Sequence, residues 1–262
     1  MLYKFIPIFL LLSVSATAQI ASVDTTFNGV KKEFYPVTNV LRSETPYVKG
    51  RKSGTENYYN QKGKLMKTVP WINDTMQGIM KTYYDSGMVV SAEFPYKNGI
   101  KDGLEKHNYK NGKEWYEAPY VAGKRNGTGL TYFPSGAKHI ITPYSNDLET
   151  DTVRIFSEDG KLSEKAAYKN GKKDGIDYTY YFDGALQFAM PFVNGIETGV
   201  QKCYDEQGRL WNEILYKDGT KNGDSKWYFQ DGKLRLIITY DHDKEINKRR
   251  FDENGLEFPG GN

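Results

Sequence analysis

The chain has 262 residues, with 36 Lys and Arg against 33 Asp and Glu, and a formal net charge of +3 at pH 7. So small a basic surplus gives no reason to expect a nucleic-acid partner, because backbone binding needs many clustered cations. The single cysteine, Cys203, excludes an internal disulfide. It is interpreted as a small apolar strand residue, with an intermolecular bridge as the alternative.

The N-terminus has the features of a secretory signal peptide. Residues 1–18 contain an early charge at Lys4, an apolar run over residues 5–12 and an Ala-Thr-Ala cleavage signal. The apolar run is shorter than the roughly 20 helical residues that span a bilayer, although an uncleaved membrane anchor is the alternative interpretation. We therefore predict an exported protein, periplasmic or extracellular, with a mature chain over residues 19–262 and no transmembrane segment after cleavage.

The rest of the chain is a tandem repeat with a period of about 24 residues. Each row begins with an aromatic residue, usually preceded by proline, and glycines recur seven and sixteen residues later. The row-starting aromatics are Tyr47, Trp71, Tyr96, Tyr120, Tyr144, Tyr168, Phe192, Tyr216 and Tyr240. A degenerate first row starts near residue 23 and the row at residue 240 is partial. This pattern predicts one repeat domain over residues 19–262.

Each row has the pattern of a β-hairpin. After the second glycine, Leu186, Phe188, Met190 and Phe192 alternate with smaller or polar residues, and a period of two is typical of a strand that places them on one face. Asn-Gly and Asp-Gly pairs between rows favour tight turns. One hairpin is unstable alone, so the rows should stack edge to edge. The predicted fold class is all-β, with tandem 24-residue β-hairpin repeats forming an elongated, twisted antiparallel sheet.

The row pattern resembles the MORN-repeat variant proteins of bacteria. The resemblance rests on YKNGKKDG, FVNGIETG and YKDGTKNG, each followed by a second motif (YYFDGAL, YDEQGRL and YFQDGKL), and it covers residues 23 to about 258. It implies a MORN-like array and an antitoxin-like label, and MORN repeats elsewhere look like scaffolds or membrane-associated modules. The segment YDEQGRLWNEILY at 204–216 also resembles the YD repeats of large toxin shells, a competing name for a similar hairpin array.

The chemistry-bearing residues form no catalytic pattern. The three histidines, His107, His139 and His242, lie in different rows and have no second ligand at zinc spacing. No nucleophile, metalloprotease or phosphate-loop motif occurs. We therefore expect no enzymatic activity, no catalytic residue, no metal and no cofactor.

One row departs from the repeat by its acidity. The row that starts at Tyr144 carries Asp147 and Asp151 at positions where glycine is expected, with Glu149 between them. The departure is interpreted either as drift in a tolerant row or as an acidic patch that binds a cation or a basic partner.

A second departure is the column three residues after the second glycine of each row. The column consists of Arg42, Met66, Val90, Trp115, His139, Ser163, Gln187, Trp211 and Arg235. Strand alternation predicts that it points away from the Leu/Phe/Tyr face. Large exposed aromatics are typical anchors for partners, so Trp115, Trp211, His139, Arg42 and Arg235 are predicted binding residues. Local packing of the tryptophans is the alternative.

These observations predict an exported, non-enzymatic repeat protein that presents an extended surface to a partner, as a scaffold or interaction module of the cell envelope. The expected partner is a protein, with a glycan or a lipid headgroup as alternatives. An antitoxin or immunity role, in which the chain neutralises a toxin, is the alternative function.

Overall fold

The computed structural model describes residues 26–258, and all regular secondary structure in that range is β-strand. The predicted signal peptide, residues 1–18, lies outside the described residues. The strands are β1 (Gly29–Phe34), β2 (Leu41–Val48), β3 (Arg51–Lys52), β4 (Gly54–Tyr59), β5 (Leu65–Ile72), β6 (Thr75–Met76), β7 (Gly78–Tyr83), β8 (Val90–Lys97), β9 (Ile100–Lys101), β10 (Gly103–Asn108), β11 (Glu114–Val121), β12 (Lys124–Arg125), β13 (Gly127–Tyr132), β14 (Lys138–Ser145), β15 (Leu148–Glu149), β16 (Asp151–Phe156), β17 (Leu162–Lys169), β18 (Lys172–Tyr180), β19 (Leu186–Val193), β20 (Ile196–Glu197), β21 (Gly199–Tyr204), β22 (Leu210–Lys217), β23 (Thr220–Lys221), β24 (Gly223–Tyr228), β25 (Leu234–Asp241) and β26 (Lys244–Arg250).

The strands form one antiparallel meander. In a typical row, β4 and β5 make a hairpin with Gly54 opposite Trp71. The chain then turns into β6, and β7 returns beside β5 with Lys67 opposite Thr82. The same arrangement recurs along the array, so each long strand pairs with its neighbours in sequence. The prediction of an all-β sheet of stacked hairpins is confirmed.

The turns between rows have the conformation that their sequences predict. Both central residues have positive φ, as in the two-residue turns that match strand twist. These pairs include Lys49-Gly50, Asn98-Gly99, Ala122-Gly123, Asn170-Gly171, Asn194-Gly195 and Asp218-Gly219. Asn and Asp tolerate this region and glycine enters it freely, which is why these types recur at the row boundaries.

Cross-strand register sorts the side chains onto two faces. The aromatic face carries the row-starting aromatics and the residues two positions before them. This second column is the most buried part of the sheet, and Ala118 in it is 0% exposed. Its buried members are Thr45, Val69, Ala118, Thr142, Ala166 and Ile238. Most of them are small, so the flanking rings close over them.

The opposite side, here called the proline face, carries the proline that precedes most row-starting aromatics. These prolines lie within strands, and Pro70 stands opposite Thr55 in the β4–β5 hairpin. On the other side of β5 the backbone pairing with β6 and β7 is interrupted. Trp71 pairs with Met76 and Thr68 pairs with Lys81, so the four residues 77–80 lie opposite only residues 69–70. The Gln77 N–H still donates to the Pro70 carbonyl at 3.1 Å. The interruption falls where proline has no N–H to donate.

Each hairpin contains a β-bulge that the sequence pattern did not reveal. In the β18–β19 hairpin, Thr179 stands opposite Phe188 and Tyr180 stands opposite Leu186, so Gln187 has no ladder partner. The extra residue shifts the alternation by one position. The prediction that Leu186 shares a face with Phe188 is therefore wrong, because Leu186 lies beside Tyr180 on the proline face.

Candidate functional site

The predicted binding column occupies the bulge position of each hairpin. Its members are skipped by the cross-strand register; they are Arg42, Met66, Ser91, Trp115, His139, Ser163, Gln187, Trp211 and Arg235. The assignment of Val90 to this column is wrong by one residue. Val90 pairs with Tyr83, and Ser91 is the residue left unpaired. The extra residue between the row starts at 71 and 96 accounts for the error.

The bulge also reverses the predicted direction of Trp115. Its ring centroid lies 5.3 Å from that of His107 and 5.6 Å from that of Tyr116. His107 and Tyr116 are cross-strand partners on the aromatic face. At a bulge two successive residues oppose one partner, so Trp115 and Tyr116 both lie beside His107. The prediction that this column points away from the aromatic face is therefore wrong for Trp115.

The column forms a line of separate contacts. Trp115 is 38% exposed and Trp211 is 45% exposed. The His139 ring packs on Phe133 at 4.3 Å between centroids, and the Arg235 guanidinium lies 5.8 Å from the Phe229 ring. The two tryptophans are four rows apart, which is roughly 40 Å across eight strands. Both tryptophans therefore keep solvent-accessible surface, and they lie in separate parts of the sheet.

The acidic row is explained mainly by turn geometry. The Asp147 carboxylate accepts the Arg125 backbone N–H at 2.8 Å, and Asp74 and Asp243 make the same bond to Lys52 and Lys221. Exposed Asp151 takes the glycine position with φ of 56°, a left-handed region that aspartate enters more readily than most other side chains. Glu149 stands opposite Tyr144, and its carbonyl accepts the Gly171 N–H. Within residues 26–258 no three His, Cys, Asp or Glu side chains converge as metal ligands.

Sequence reasoning missed a set of buried carboxylates on the aromatic face. Glu56 is 3% exposed and accepts bonds from Thr45 Oγ1 at 2.7 Å, Lys52 Nζ at 3.1 Å and Trp71 Nε1 at 2.8 Å. Burial alone raises the pKa of Glu56, and these bonds together lower the pKa below its ordinary value. The Lys52 ammonium also lies over the Trp71 ring at 4.7 Å. A positive charge, a negative charge and a ring thus form one compact unit.

This unit recurs along the array. In a later row Lys101 and His107 bind Glu105 at 2.6 Å and 2.7 Å, and Lys101 lies over the Tyr120 ring. Lys173 binds Asp177 and lies over Phe192 in the same way. The cation stands five residues after a row-starting aromatic, and the acid follows four residues later. That spacing is the sequence signal that would have revealed the unit.

The second feature missed is a line of exposed apolar side chains, here called the apolar stripe. It lies beside the turns between rows, on the proline face. Its members are 41% to 55% exposed; they are Val48, Ile72, Ile79, Ile100, Leu104, Val121, Leu148, Ile176, Val193, Ile196 and Val200. The register places Ile79 opposite Pro95, Leu104 opposite Pro119 and Ile176 opposite Pro191. These positions flank the turns between rows, and no sequence pattern singled them out.

A ladder of opposite charges borders the apolar stripe on the same face. The Lys81 ammonium lies 2.8 Å from the Glu93 carboxylate, and Lys106 contacts Glu114 at 2.5 Å and Glu117 at 3.9 Å. Cross-strand pairs of opposite charge stabilise a sheet modestly. The proline face therefore combines an apolar margin with a mixed-charge centre.

These features define an all-β tandem-repeat protein whose sheet leaves both faces partly open to solvent. Five segments match a family model described as MORN repeat variant, at residues 76–98, 101–122, 152–170, 197–218 and 221–242. The chain therefore carries repeats of the MORN variant type over these five segments.

Comparisons with curated protein sequences and with solved structures do not indicate an activity. No curated protein sequence matches the chain significantly. Among similar solved structures, a chain of the "Crystal Structure of TcdB2-TccC3-Cdc42" shares 13% identity with a TM-score of 0.19, over 84% of this chain and 14% of that chain. The chain thus spans about one seventh of that much longer protein. Over residues 26–258, the structure contains no helix of the length and apolarity that a membrane span requires.

Proposed function

We propose that the protein is an exported, non-enzymatic module of the cell envelope that binds a protein partner along the apolar stripe. The stripe is the observation that carries the proposal, because eleven apolar side chains at about half exposure recur in register on one face. Lys97, Lys124 and Lys172 take the same positions in intervening rows, and exposed apolar side chains rimmed by polar residues are typical of an interaction site. MORN repeats commonly mediate binding, which supports the same function.

The dimensions of the stripe favour a macromolecular partner. From Val48 to Val200 it crosses about fourteen long strands, or roughly 60 Å. A small ligand would contact only one or two rows of such a surface. The charge ladder lies along one side of the stripe and supplies polar contacts beside its apolar ones. Export is proposed from the signal-like sequence of residues 1–18, and a non-enzymatic role from the scattered positions of the histidines.

Affinity capture from the envelope fraction tests this proposal. The bait is residues 19–262, compared with the double variant Ile100→Ser/Ile196→Ser, which makes two half-exposed stripe positions polar. The control is Val37→Ser/Met88→Ser, because these side chains are 96% and 83% exposed in turns away from the stripe. We expect one protein to be captured by the original chain and by the control, and to be lost from the stripe variant.

A third bait, Trp115→Ala/Trp211→Ala, separates the apolar stripe from the bulge column. Loss of the partner in this variant, with retention in the stripe variant, would place binding on the aromatic face and overturn the proposal. If the bait retained a glycan or a lipid but no protein, the proposal that the partner is a protein would be overturned. A captured toxin would favour the immunity role over the envelope scaffold.

A further inference from the structure

The C-terminal end of the array holds a cavity of about 670 Å³. The set of residues that lines it is not repeated at the equivalent positions of the other rows. Its size falls within the range of small-molecule pockets, roughly 300–1,000 Å³. The floor comes from the aromatic face, where Trp227 stands opposite Leu236 and Leu236 stands opposite Arg250. This site is separate from the apolar stripe, which lies on the other face and ends near Val200.

The walls are made by the chain after the last strand. The Phe251 N–H donates to the Arg235 carbonyl, and the Phe258 N–H donates to the Arg250 carbonyl, each at 2.9 Å. Between them the Asp252 carboxylate accepts the N–H groups of Asn254 and Leu256 and closes a turn. The segment thereby folds back beside β26. It adds two phenylalanine rings to the pocket, which Trp227 and Phe229 also line.

The two arginines of the pocket lack carboxylate partners. Arg235, Lys248 and Arg250 line the cavity. Among residues 26–258, no carboxylate lies within ion-pair distance of the Arg235 or Arg250 guanidinium, and Lys248 has only Glu245 at 3.7 Å. Two acids also line the pocket: the Asp252 carboxylate accepts the N–H groups of its own turn, and Glu253 is exposed, with its backbone carbonyl accepting a bond from Lys233. Two unpaired guanidiniums therefore stand beside four aromatic rings.

We propose that this pocket binds a cyclic organic anion, with its ring stacked on Trp227 and its carboxylate or phosphate held by Arg235 and Arg250. Guanidinium forks match carboxylate and phosphate oxygens in two parallel hydrogen bonds. The aromatic floor supplies a face for a planar or sugar ring. Acidic sugars and aromatic acids share this chemistry, and this site would add a ligand to the function proposed above.

Calorimetric titration of the purified full chain tests the pocket with matched probes. Trigalacturonate is compared with neutral trigalactose, and phenyl phosphate with benzyl alcohol. We expect at least one acidic probe to bind and its neutral counterpart to bind at least tenfold more weakly. The acidic probe that binds identifies the source of the ring. Equal binding of an acidic and a neutral probe, or no binding by any of the four, would overturn the proposal.

Variants locate the binding within the molecule. Arg235→Gln and Arg250→Gln should each weaken the acidic probe about tenfold or more, since a hydrogen bond to a charged group has that strength. Arg42→Gln is the matched control, because Arg42 is exposed at the same bulge position in the first hairpin, far from this end. Equal weakening by Arg42→Gln would show non-specific charge attraction and contradict the assignment. Both pocket arginines are exposed, so neither variant removes buried packing.

Discussion

At the scale of single residues, the buried carboxylates explain how a thin sheet tolerates charge next to its aromatic rings. Glu56 has lost most of its water, but it accepts three side-chain bonds, one of them from an ammonium. A buried charge is stable only when such partners replace its hydration. Removing the acid should therefore cost more than removing an exposed one.

Glu56→Gln should lower the free energy of unfolding by about 2 kcal/mol, because it leaves Lys52 unpaired and turns an amide donor toward Thr45 or Trp71. The matched control is Glu93→Gln, whose carboxylate is 25% exposed on the proline face beside Lys81. That exposed pair should contribute less than about 1 kcal/mol. Urea unfolding followed by tryptophan fluorescence measures both. Equal losses would contradict the idea that the aromatic-face units are special.

The same carboxylates should make stability depend on acid. The pKa values of Glu56 and Glu105 are lower in the folded chain than the ordinary glutamate value of 4.5, since bonds outweigh burial. A lowered folded pKa means that the unfolded state binds more protons, so this stabilisation is complete above about pH 5 and is lost as pH falls through the folded values. The urea midpoint should fall between about pH 6 and pH 3. In Glu56→Gln/Glu105→Gln the fall should be smaller, and an unchanged pH dependence would contradict the assignment.

At the scale of the hairpin, two constraints require the glycine that opens the first long strand of most rows, such as Gly127 in β13. Gly127 has φ of 115°, which L side chains rarely adopt, and a Cβ there would lie 2.8 Å from Pro119 Cγ. Gly127→Ala should therefore destabilise by at least about 2 kcal/mol, combining backbone strain with overpacking.

Gly136→Ala is the control for that substitution. Gly136 also has positive φ, at 96°, but no atom lies within 4 Å of its added Cβ. It should cost only the conformational part, about 1 kcal/mol. Thermal unfolding of the two variants isolates the contact between glycine and proline. If both variants melted at the same temperature, the contact would carry no energy.

The hairpin scale also shows how far sequence reasoning reached. The period near 24 residues and the Asn-Gly turns were sufficient to predict the array of stacked hairpins, because turn chemistry and alternation are local properties. The bulge escaped prediction because both faces of a single-layer sheet carry apolar side chains. Leu186 therefore continued the pattern of Phe188 although it lies on the other face. A one-residue shift of this kind also misdirected Trp115.

The candidate site was also predictable only where its features lie within a single row. Sequence departures found Arg235, which lines the terminal pocket, and both exposed tryptophans. They also singled out Asp147, but its bond to the Arg125 N–H joins residues 22 apart and depends on row stacking. The apolar stripe and the Glu56 unit arise in the same way from neighbouring rows. Such contacts become visible only when the register is known.

At the scale of the whole molecule, the meander makes the array modular. Each row contacts the rows beside it, so stability is a sum of row terms and neighbour interfaces. A row can then be removed without rebuilding the others, provided that the cut restores the register. Deleting residues 168–191 joins Ala167 to Phe192, which again places a row-starting aromatic after the residue that normally precedes one.

The chain without residues 168–191 should fold, with strand circular dichroism and a Tm within about 5 °C of the original. Deleting only residues 168–179 removes half of that row, so Ala167 meets Tyr180 and the following strand has no hairpin partner in register. This half-row variant should lose cooperative unfolding, because a register error moves a whole side-chain set to the wrong face. If the full-row deletion unfolded as completely as the half-row deletion, interactions between distant rows would hold the sheet together, and nearest-neighbour stacking would be an insufficient account of this molecule.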